Sequence, residues 1–326
     1  IGLVSSVERL KELGGDLEAI YARELAACAE ISPLLVNAVR VTDFDGSGES
    51  FFTQSDWSYM NVAASGPGWL AAGDAAVFVD PILSSGVTLA HLAAHRAAYT
   101  ALTAWDPEST PERVDALWKD YDRYCRESAA QFLALALFWY GNERRTESWW
   151  GRAREVLRAW LPVDIGDHGA FIAVSAGLTR HYERLLATTD LVDDQPMRDA
   201  DFPFLVSVLG APREPGAPAP GDRPRLPFPW VEERAFHPAL GEGRLRPVQR
   251  VRFLKYDDAD PVRDALNPRR AVTRWHLALL AALDGTRTFA QARAVAEKDG
   301  VPAWWLDGRA PHFLNELRLQ GVAEWA

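Results

Sequence analysis

The chain is poor in cysteine and lysine, and it has no long uninterrupted apolar run. Only two cysteines occur among its 326 residues, Cys28 and Cys125, far apart. That excludes a disulfide framework and any C-x-x-C metal spacing. Nothing resembles a signal peptide, and no apolar run is long enough to span a bilayer. A reducing, cytoplasmic setting without a membrane partner is therefore expected. Lysine supplies only Lys11, Lys119, Lys255 and Lys298. The formal net charge is -10, which repels a phosphate backbone and disfavours nucleic-acid partners.

What is present is a globular composition, 48% apolar and 25% charged, with 13 tryptophans. So many large aromatics point to thick cores and apolar cavities. Ile1 to Val4 reads as part of a β-strand whose earlier residues are missing, so the amino end is expected to be a cut. Val7, Leu10, Leu13, Leu17 and Ile20 recur at near-helical spacing, with Gly14-Gly15 dividing them and Asp16 able to cap the second half. Val36 to Val41 is strand-like, and Trp69 to Ala76 reads as a buried strand entering a tight turn. Val87 to Trp105 contains neither Gly nor Pro and is expected to be a helix. Thr110-Pro111-Glu112 starts a second helix running to about Tyr140, and a third spans Glu147 to Trp160.

Seven prolines between Ala211 and Trp230 mark a stiff linker or wrapping loop. Beyond it His237 to Tyr256 is expected to be β-rich. From Val272 a compact unit follows: a helix to Leu283, an Asp284-Gly285-Thr286 turn, a helix capped by Thr288, a final helix, and a short strand at Val322 to Trp325.

Chemistry concentrates between Trp57 and Leu92. Gly73 permits close approach, and Asp74 offers a carboxylate that ribityl or sugar hydroxyls can satisfy. Ser84-Ser85-Gly86 opens a long helix, where free N–H groups and the helix dipole suit an anion. A capped helix after a strand accounts for either piece alone. The pair at this spacing points to a ligand. His91 and His95 stand at i, i+4, but without a third ligand they read as packing or solvent residues. His168 is uncommitted, and the acids Asp193, Asp194, Asp257, Asp258 and Asp260 read as solvated loop.

Gly73-Asp74-Ala75-Ala76-Val77-Phe78-Val79-Asp80-Pro81-Ile82-Leu83-Ser84-Ser85-Gly86-Val87 resembles the second flavin motif of flavin-dependent halogenases. Asp56-Trp57-Ser58-Tyr59 and Gly66-Pro67-Gly68-Trp69 resemble that family too. The likeness is strongest from Asp56 to Trp150 and weakens towards Val208. It implies FAD, reduced by a partner reductase, with chloride or bromide. The product would be a halogenated electron-rich aromatic natural product, free or carrier-tethered. Cofactor contacts then fall to Gly73, Asp74, Ala75, Pro81, Gly86 and Val87, halide to Ser85 and Gly86, and the substrate side to Trp57, Phe138 and Tyr140. Phe138 to Asn142 and Trp149-Trp150 would otherwise be helix-packing core.

The family's Gly-x-Gly-x-x-Gly unit and its catalytic lysine segment are not in this chain. They are expected upstream of Ile1, so no catalytic residue is assigned and the chain alone is expected to be inactive. Leu83 stands where tryptophan halogenases carry Glu, which places the chain nearer to halogenases of phenolic or carrier-tethered substrates. Flavin monooxygenases and geranylgeranyl-reductase-like enzymes share Gly-Asp-Ala-Ala and form the alternative. A non-catalytic peptide- or carrier-binding module is another.

The implied fold is α/β, α+β overall. Its expected parts are a partial FAD-binding Rossmann-like domain of glutathione-reductase type (1–105), a helical substrate-side region (106–210), a Pro-rich linker (211–230) and a carboxy-terminal unit (231–326). The end of that unit (272–326) resembles the winged-helix modules of peptide-modifying pathways.

Overall fold

A computed structural model describes residues 1–41, 43, 46, 48, 50–54, 58–140, 147–160, 166–175, 216–238 and 243–325. Expectations resting on Asp56, Trp57, Gly141, Asn142, Asp193 and Asp194, or on the side chains of Phe138, Trp139, Trp149, Trp150 and His168, lie outside what it describes. Two compact units result, 1–57 and 58–326, dividing within the stretch expected as one domain.

The first unit is two short helices. α1 (Val7–Leu13) starts where Ser6 Oγ accepts from Arg9 N–H at 3.2 Å, and it stops at Gly14, whose φ is +58°. α2 (Leu17–Ala27) is capped by Asp16 through the Ala19 N–H at 3.1 Å. Ile20 is the unit's buried hydrophobic among the described residues. Neither strand expected here forms. Ile1 to Val4 is irregular and exposed, while Val36 ends a 3-10 turn and Val39 is 89% exposed. β-branched residues favour strands only where a partner strand covers them, and the described residues of this unit include none.

The second unit opens with two small antiparallel pairs. β1 (Tyr59–Met60) pairs with β4 (Val77–Phe78), and β2 (Ser65–Gly66) pairs with β3 (Trp69–Leu70). Pro67-Gly68 closes the second hairpin, with Gly68 at φ +82° as a type II turn requires. The buried strand expected from Trp69 to Ala76 is thus corrected. Only Trp69–Leu70 is extended, Trp69 is half exposed, and Gly73–Ala75 is a 3-10 turn.

α3 (Gly86–Ala104) and α4 (Pro111–Tyr140) pack against these hairpins. Their shared core holds Val77, Val79, Leu89, Ala93, Tyr121 and Phe132. α5 (Glu147–Trp160) and α6 (Asp167–Ser175) form a further core with the end of α4. β5 (Trp230–Pro238), β6 (Leu245–Phe253) and, after the short α7 (Pro261–Asp264), β7 (Arg269–Val272) make an antiparallel sheet in the order β5-β6-β7. α8 (Arg274–Ala282), α9 (Phe289–Lys298), α10 (Ala303–Gly308) and α11 (Ala310–Leu319) close a core that also takes Val251, Phe253 and Val272.

Leu226, Phe228 and Trp230 pack on that same core, and Arg225 exchanges backbone hydrogen bonds with Glu324 at 2.9 and 3.1 Å. Residues 216–230 therefore wrap the carboxy-terminal helices. The architecture is mixed α+β, as expected. No described helix is long and apolar enough to cross a membrane.

Candidate functional site

The sequence-predicted cofactor and halide residues lie on one path from the Gly73–Ala75 turn to the first turn of α3. Gly73 sits at φ +59°, and a Cβ there would stand 3.2 Å from Cβ of Ala90 on α3. The close approach that needs glycine is thus made by this chain's own helix, and it sets the turn against α3. Three hydroxyl and amide groups hold the turn. Tyr59 Oη donates to Asp74 O at 2.6 Å, Asn61 Nδ2 to Ala75 O at 2.6 Å, and Tyr121 Oη to Ala71 O at 2.7 Å. Tyr121 is fully buried, and that burial pushes its phenol far up, so it stays a neutral donor. Asp74 itself is exposed, and among the described residues its carboxylate makes no ion pair.

Asp80-Pro81 then turns the chain toward α3. Asp80 Oδ1 accepts from Ile82 N–H and from Tyr140 Oη, both at 2.9 Å. Ser84 follows at φ 54°, ψ 33°, left-handed backbone that costs a non-glycine residue roughly 1–2 kcal/mol. Strain of this kind persists where surroundings over-determine it, and it gathers at ligand sites.

Ser85 is the N-cap of α3 and is completely buried. Its hydroxyl caps nothing, and Oγ has no hydrogen-bond partner among the described residues. A notional Cβ on Gly86 meets nothing within 4 Å. The first turn of α3 holds no acid, and the nearby carboxylate of Asp80 is already occupied. Open space, an orphan hydroxyl, free N–H groups and the positive helix end together make a place for an anion or a polarised carbonyl. Pro81 and Val87 stand exposed beside it.

Of the substrate-side residues, Tyr140 is brought to this turn through Asp80, whereas Trp57 and the Phe138 side chain lie outside the described residues. The motif Gly66-Pro67-Gly68-Trp69 has a packing explanation. The Trp69 indole crosses Gly66, with Nε1 2.6 Å from where a Cβ would be. His91 and His95 are both exposed, and no metal-ligating cluster occurs among the described residues.

Sequence reasoning missed a second polar centre. Arg96, on α3, is buried and pairs with Asp120 of α4. Asp120 also holds Arg123 and accepts from the Phe236 N–H at 3.2 Å. Arg96 and Arg123 donate to the carbonyls of Phe236 and Arg234 in turn. These side chains satisfy the outer edge of β5, which would otherwise invite another strand. Behind it, Arg250 joins Glu127 and Glu233 at 2.9 and 2.7 Å, Arg269 joins Glu127 and Asp264, and Arg252 joins Glu233 and Asp264. Burial would raise the Glu233 carboxyl, yet Arg250 beside it leaves it lowered. The available signal was Arg96, a lone arginine on the Leu89–Ala93–Thr100 face of an Ala-rich helix.

No protein-family model matches the chain. Among curated proteins it is 28% identical over 165 residues to tryptophan 2-halogenase of Chondromyces crocatus, covering 50% of this chain and 30% of that protein. It is 39% identical over 123 residues to sulochrin halogenase gedL of Aspergillus terreus, covering 38% and 20%. It is 38% identical over 131 residues to flavin-dependent halogenase ptaM of Pestalotiopsis fici, covering 40% and 22%. The chain thus spans less than a third of each relative's length. A solved structure of CmlS, a flavin-dependent halogenase, aligns over 98% of this chain and 54% of that one, at 17% identity and a TM-score of 0.43. In the segments it shares with these curated sequences, the chain is similar to flavin-dependent halogenases.

Proposed function

We propose that this chain is part of an FAD-dependent halogenase, and that the turn from Gly73 to Val87 is its share of the flavin and halide site. The observation that carries the reading is Ser85, whose buried hydroxyl has no partner among the described residues at the open, acid-free start of α3. Halide needs a pocket of this kind. It is a monovalent acceptor that takes N–H and O–H donors and gains from the helix dipole. Asp74 fits the ribityl role, being an exposed carboxylate beside that helix end, without an ion partner among the described residues.

Bound and reduced, FAD together with oxygen supplies the oxidising equivalent that turns halide into electrophilic halogen. The chain's own residues then have positional work. Ser85 Oγ and the first N–H groups of α3 hold the halide. Tyr59, Asn61 and Tyr121 fix the turn that carries Asp74. Tyr140 locks Asp80, and so the approach of Ser84 and Ser85 to the helix. Preorganised donors of this sort hold charge without reorganising when it develops. The reductase partner, the choice between chloride and bromide, and an electron-rich aromatic substrate, free or carrier-tethered, belong to the same proposal.

The test is an FAD titration, with and without chloride, of this chain extended at its amino end by the strand–Gly-x-Gly-x-x-Gly–helix unit of a halogenase relative. Two ligands of one site change each other's affinity reciprocally. FAD affinity that shifts with chloride supports the reading. Affinity indifferent to chloride moves the chain to the monooxygenase or reductase class, and no FAD binding refutes the flavin role of Gly73-Asp74.

A further inference from the structure

A pocket of about 40 Å³ opens between α8, α10 and α11, in residues that the flavin reading does not use. At the ~30 Å³ that a water occupies in the liquid, it admits one small polar group and excludes a ring.

Aromatic packing shapes the pocket. α8 contributes Trp275 and His276, α10 contributes Trp305, and α11 contributes Phe313 and Glu316. The Trp305 and Phe313 rings meet the His276 ring close to edge-on, at 80° and 77°, and hold the imidazole in one orientation.

The capping box of α8 fixes which nitrogen of that imidazole carries the proton. Nδ1 of His276 accepts the Thr273 N–H at 3.1 Å, so Nδ1 is bare. Burial, and then the charge of Arg270, push the ring's pKa down to about 3, so it is neutral at pH 7. A neutral imidazole has one N–H, and here it sits on Nε2. His276 is 6% exposed, and its Nε2–H has no acceptor among the described residues. Trp275 adds a second buried N–H without an acceptor among them, on Nε1. A buried donor left unmet costs about 1–3 kcal/mol.

Glu316 supplies the acceptors. Burial works to raise its carboxyl, but Arg270 leaves it lowered, so it is ionised at pH 7. Arg270 pairs with Oε2, and His312 Nε2 lies 3.2 Å from Oε1. A carboxylate has about four lone-pair sites, so acceptor capacity remains. An unmet N–H and an ionised carboxylate in one small pocket suit a group with an acceptor and a donor side by side. A carboxamide is such a group. A carboxylate ligand would meet Glu316 with like charge, a ketone brings no donor, and an ammonium brings no acceptor for His276.

We infer that this pocket is a binding site for a carboxamide group, its carbonyl oxygen taking the His276 Nε2–H and its own N–H reaching Glu316. The test is an NMR titration of the 326-residue chain, isotopically labelled at the histidine ring nitrogens. Acetamide is the primary-amide probe, N-methylacetamide the backbone-like one, and acetate and acetone are the controls without an N–H. At least one amide is expected to shift the His276 Nε2 signal saturably, with an affinity roughly fivefold above both controls, since each control forgoes a hydrogen bond. Acetamide alone marks a primary amide, as on a Gln or Asn side chain or a small molecule. Equal binding of N-methylacetamide marks a peptide backbone. The exposed His91 and His95 are internal controls. A matching shift at those two, equal binding of acetate or acetone, or no saturable shift overturns the inference, and the last leaves the pocket to an ordered water. In Glu316→Gln the preference over acetate should vanish while the His276 signal still reports, and an unchanged preference overturns the role of Glu316. If that variant does not fold, the selectivity of the unaltered chain decides alone. Neither FAD nor halide enters the titration, so its outcome is independent of the flavin reading.

Discussion

The hydroxyl of Tyr140, the last residue of α4, donates to Oδ1 of Asp80 at 2.9 Å, sixty residues earlier in the chain. The same oxygen accepts the Ile82 N–H, so one carboxylate both caps the 3-10 turn before α3 and ties it to a second helix. Tyr140→Phe removes this tie without changing shape. Stability should fall by about 1–2 kcal/mol in urea unfolding, since the lost bond has a charged acceptor. The coupling between chloride and FAD should weaken at the same time. Unchanged coupling in a destabilised Tyr140→Phe protein would confine the bond to a structural role.

Ser85 and Gly86 separate ligand binding from folding. Ser85→Ala removes a buried hydroxyl without a partner among the described residues, so the ligand-free protein should become more stable by about 1 kcal/mol. Gly86→Ala meets no neighbour and opens a helix at ordinary φ, so it should stabilise by about 0.4–1 kcal/mol. Both variants should lose chloride coupling in the FAD titration. Gly73→Ala makes the contrast. Its positive φ and the Ala90 methyl should cost about 1–3 kcal/mol.

Arg96 and Asp120 form a buried pair on which the outer edge of β5 depends. Asp120→Asn leaves two guanidinium groups facing one neutral amide and should destabilise by about 3–5 kcal/mol. Replacing both partners, Arg96→Met with Asp120→Leu, should recover much of this loss. A double-mutant cycle in urea checks the pair, and additive costs would show the two residues to be uncoupled.

His276 predicts a pH dependence. It is buried against Trp305 and Phe313, with ring centres 4.8 and 4.5 Å away, and its Nδ1 accepts from Thr273 N–H at 3.1 Å. Burial, and then Arg270, push its pKa down from 6.5 to about 3. Below pH 6.5 the unfolded chain takes up a proton that the native ring refuses. Stability should therefore fall as pH drops from 6.5 towards 3, approaching about 1.4 kcal/mol per pH unit. Glu316, lowered from 4.5 by Arg270 against its own burial, adds its loss only below about pH 4.5. Between pH 6.5 and 4.5 the slope should shrink in His276→Gln, measured by urea unfolding at fixed pH.

Local punctuation in this chain is readable because it acts over a few residues. Ser6, Asp16, Thr110 and Thr288 mark helix starts through side chains that reach the next N–H groups, and the structure has helices where those signals stand. The span from Glu147 to Trp160 is a helix from end to end, as its pattern requires. Strands were legible only where a partner exists. Within the stretch from His237 to Tyr256, His237, Pro238 and Leu245 to Phe253 lie in a sheet, whereas Val36 to Val41, with the same β-branched character, does not. The acids after Tyr256 do lie in loop, with Asp257 and Asp258 exposed, and two of them also make contacts. Asp260 caps α7 through the Val262 N–H at 2.9 Å, and Asp258 lies 3.5 Å from Arg252.

Residue order alone was enough to place most of the described helices and to single out Ser85-Gly86 as a candidate anion site, because caps, breakers and helix ends are short-range devices. It showed neither that Gly73 is needed for Ala90 nor that Tyr140 holds Asp80. It likewise left unread that Asp120 must serve two arginines and the edge of a strand more than a hundred residues away. Those are decided when α3, α4 and β5 close on one another. The energy of a buried charge depends on which partners arrive with it, and partners distant in the chain meet only in the folded protein.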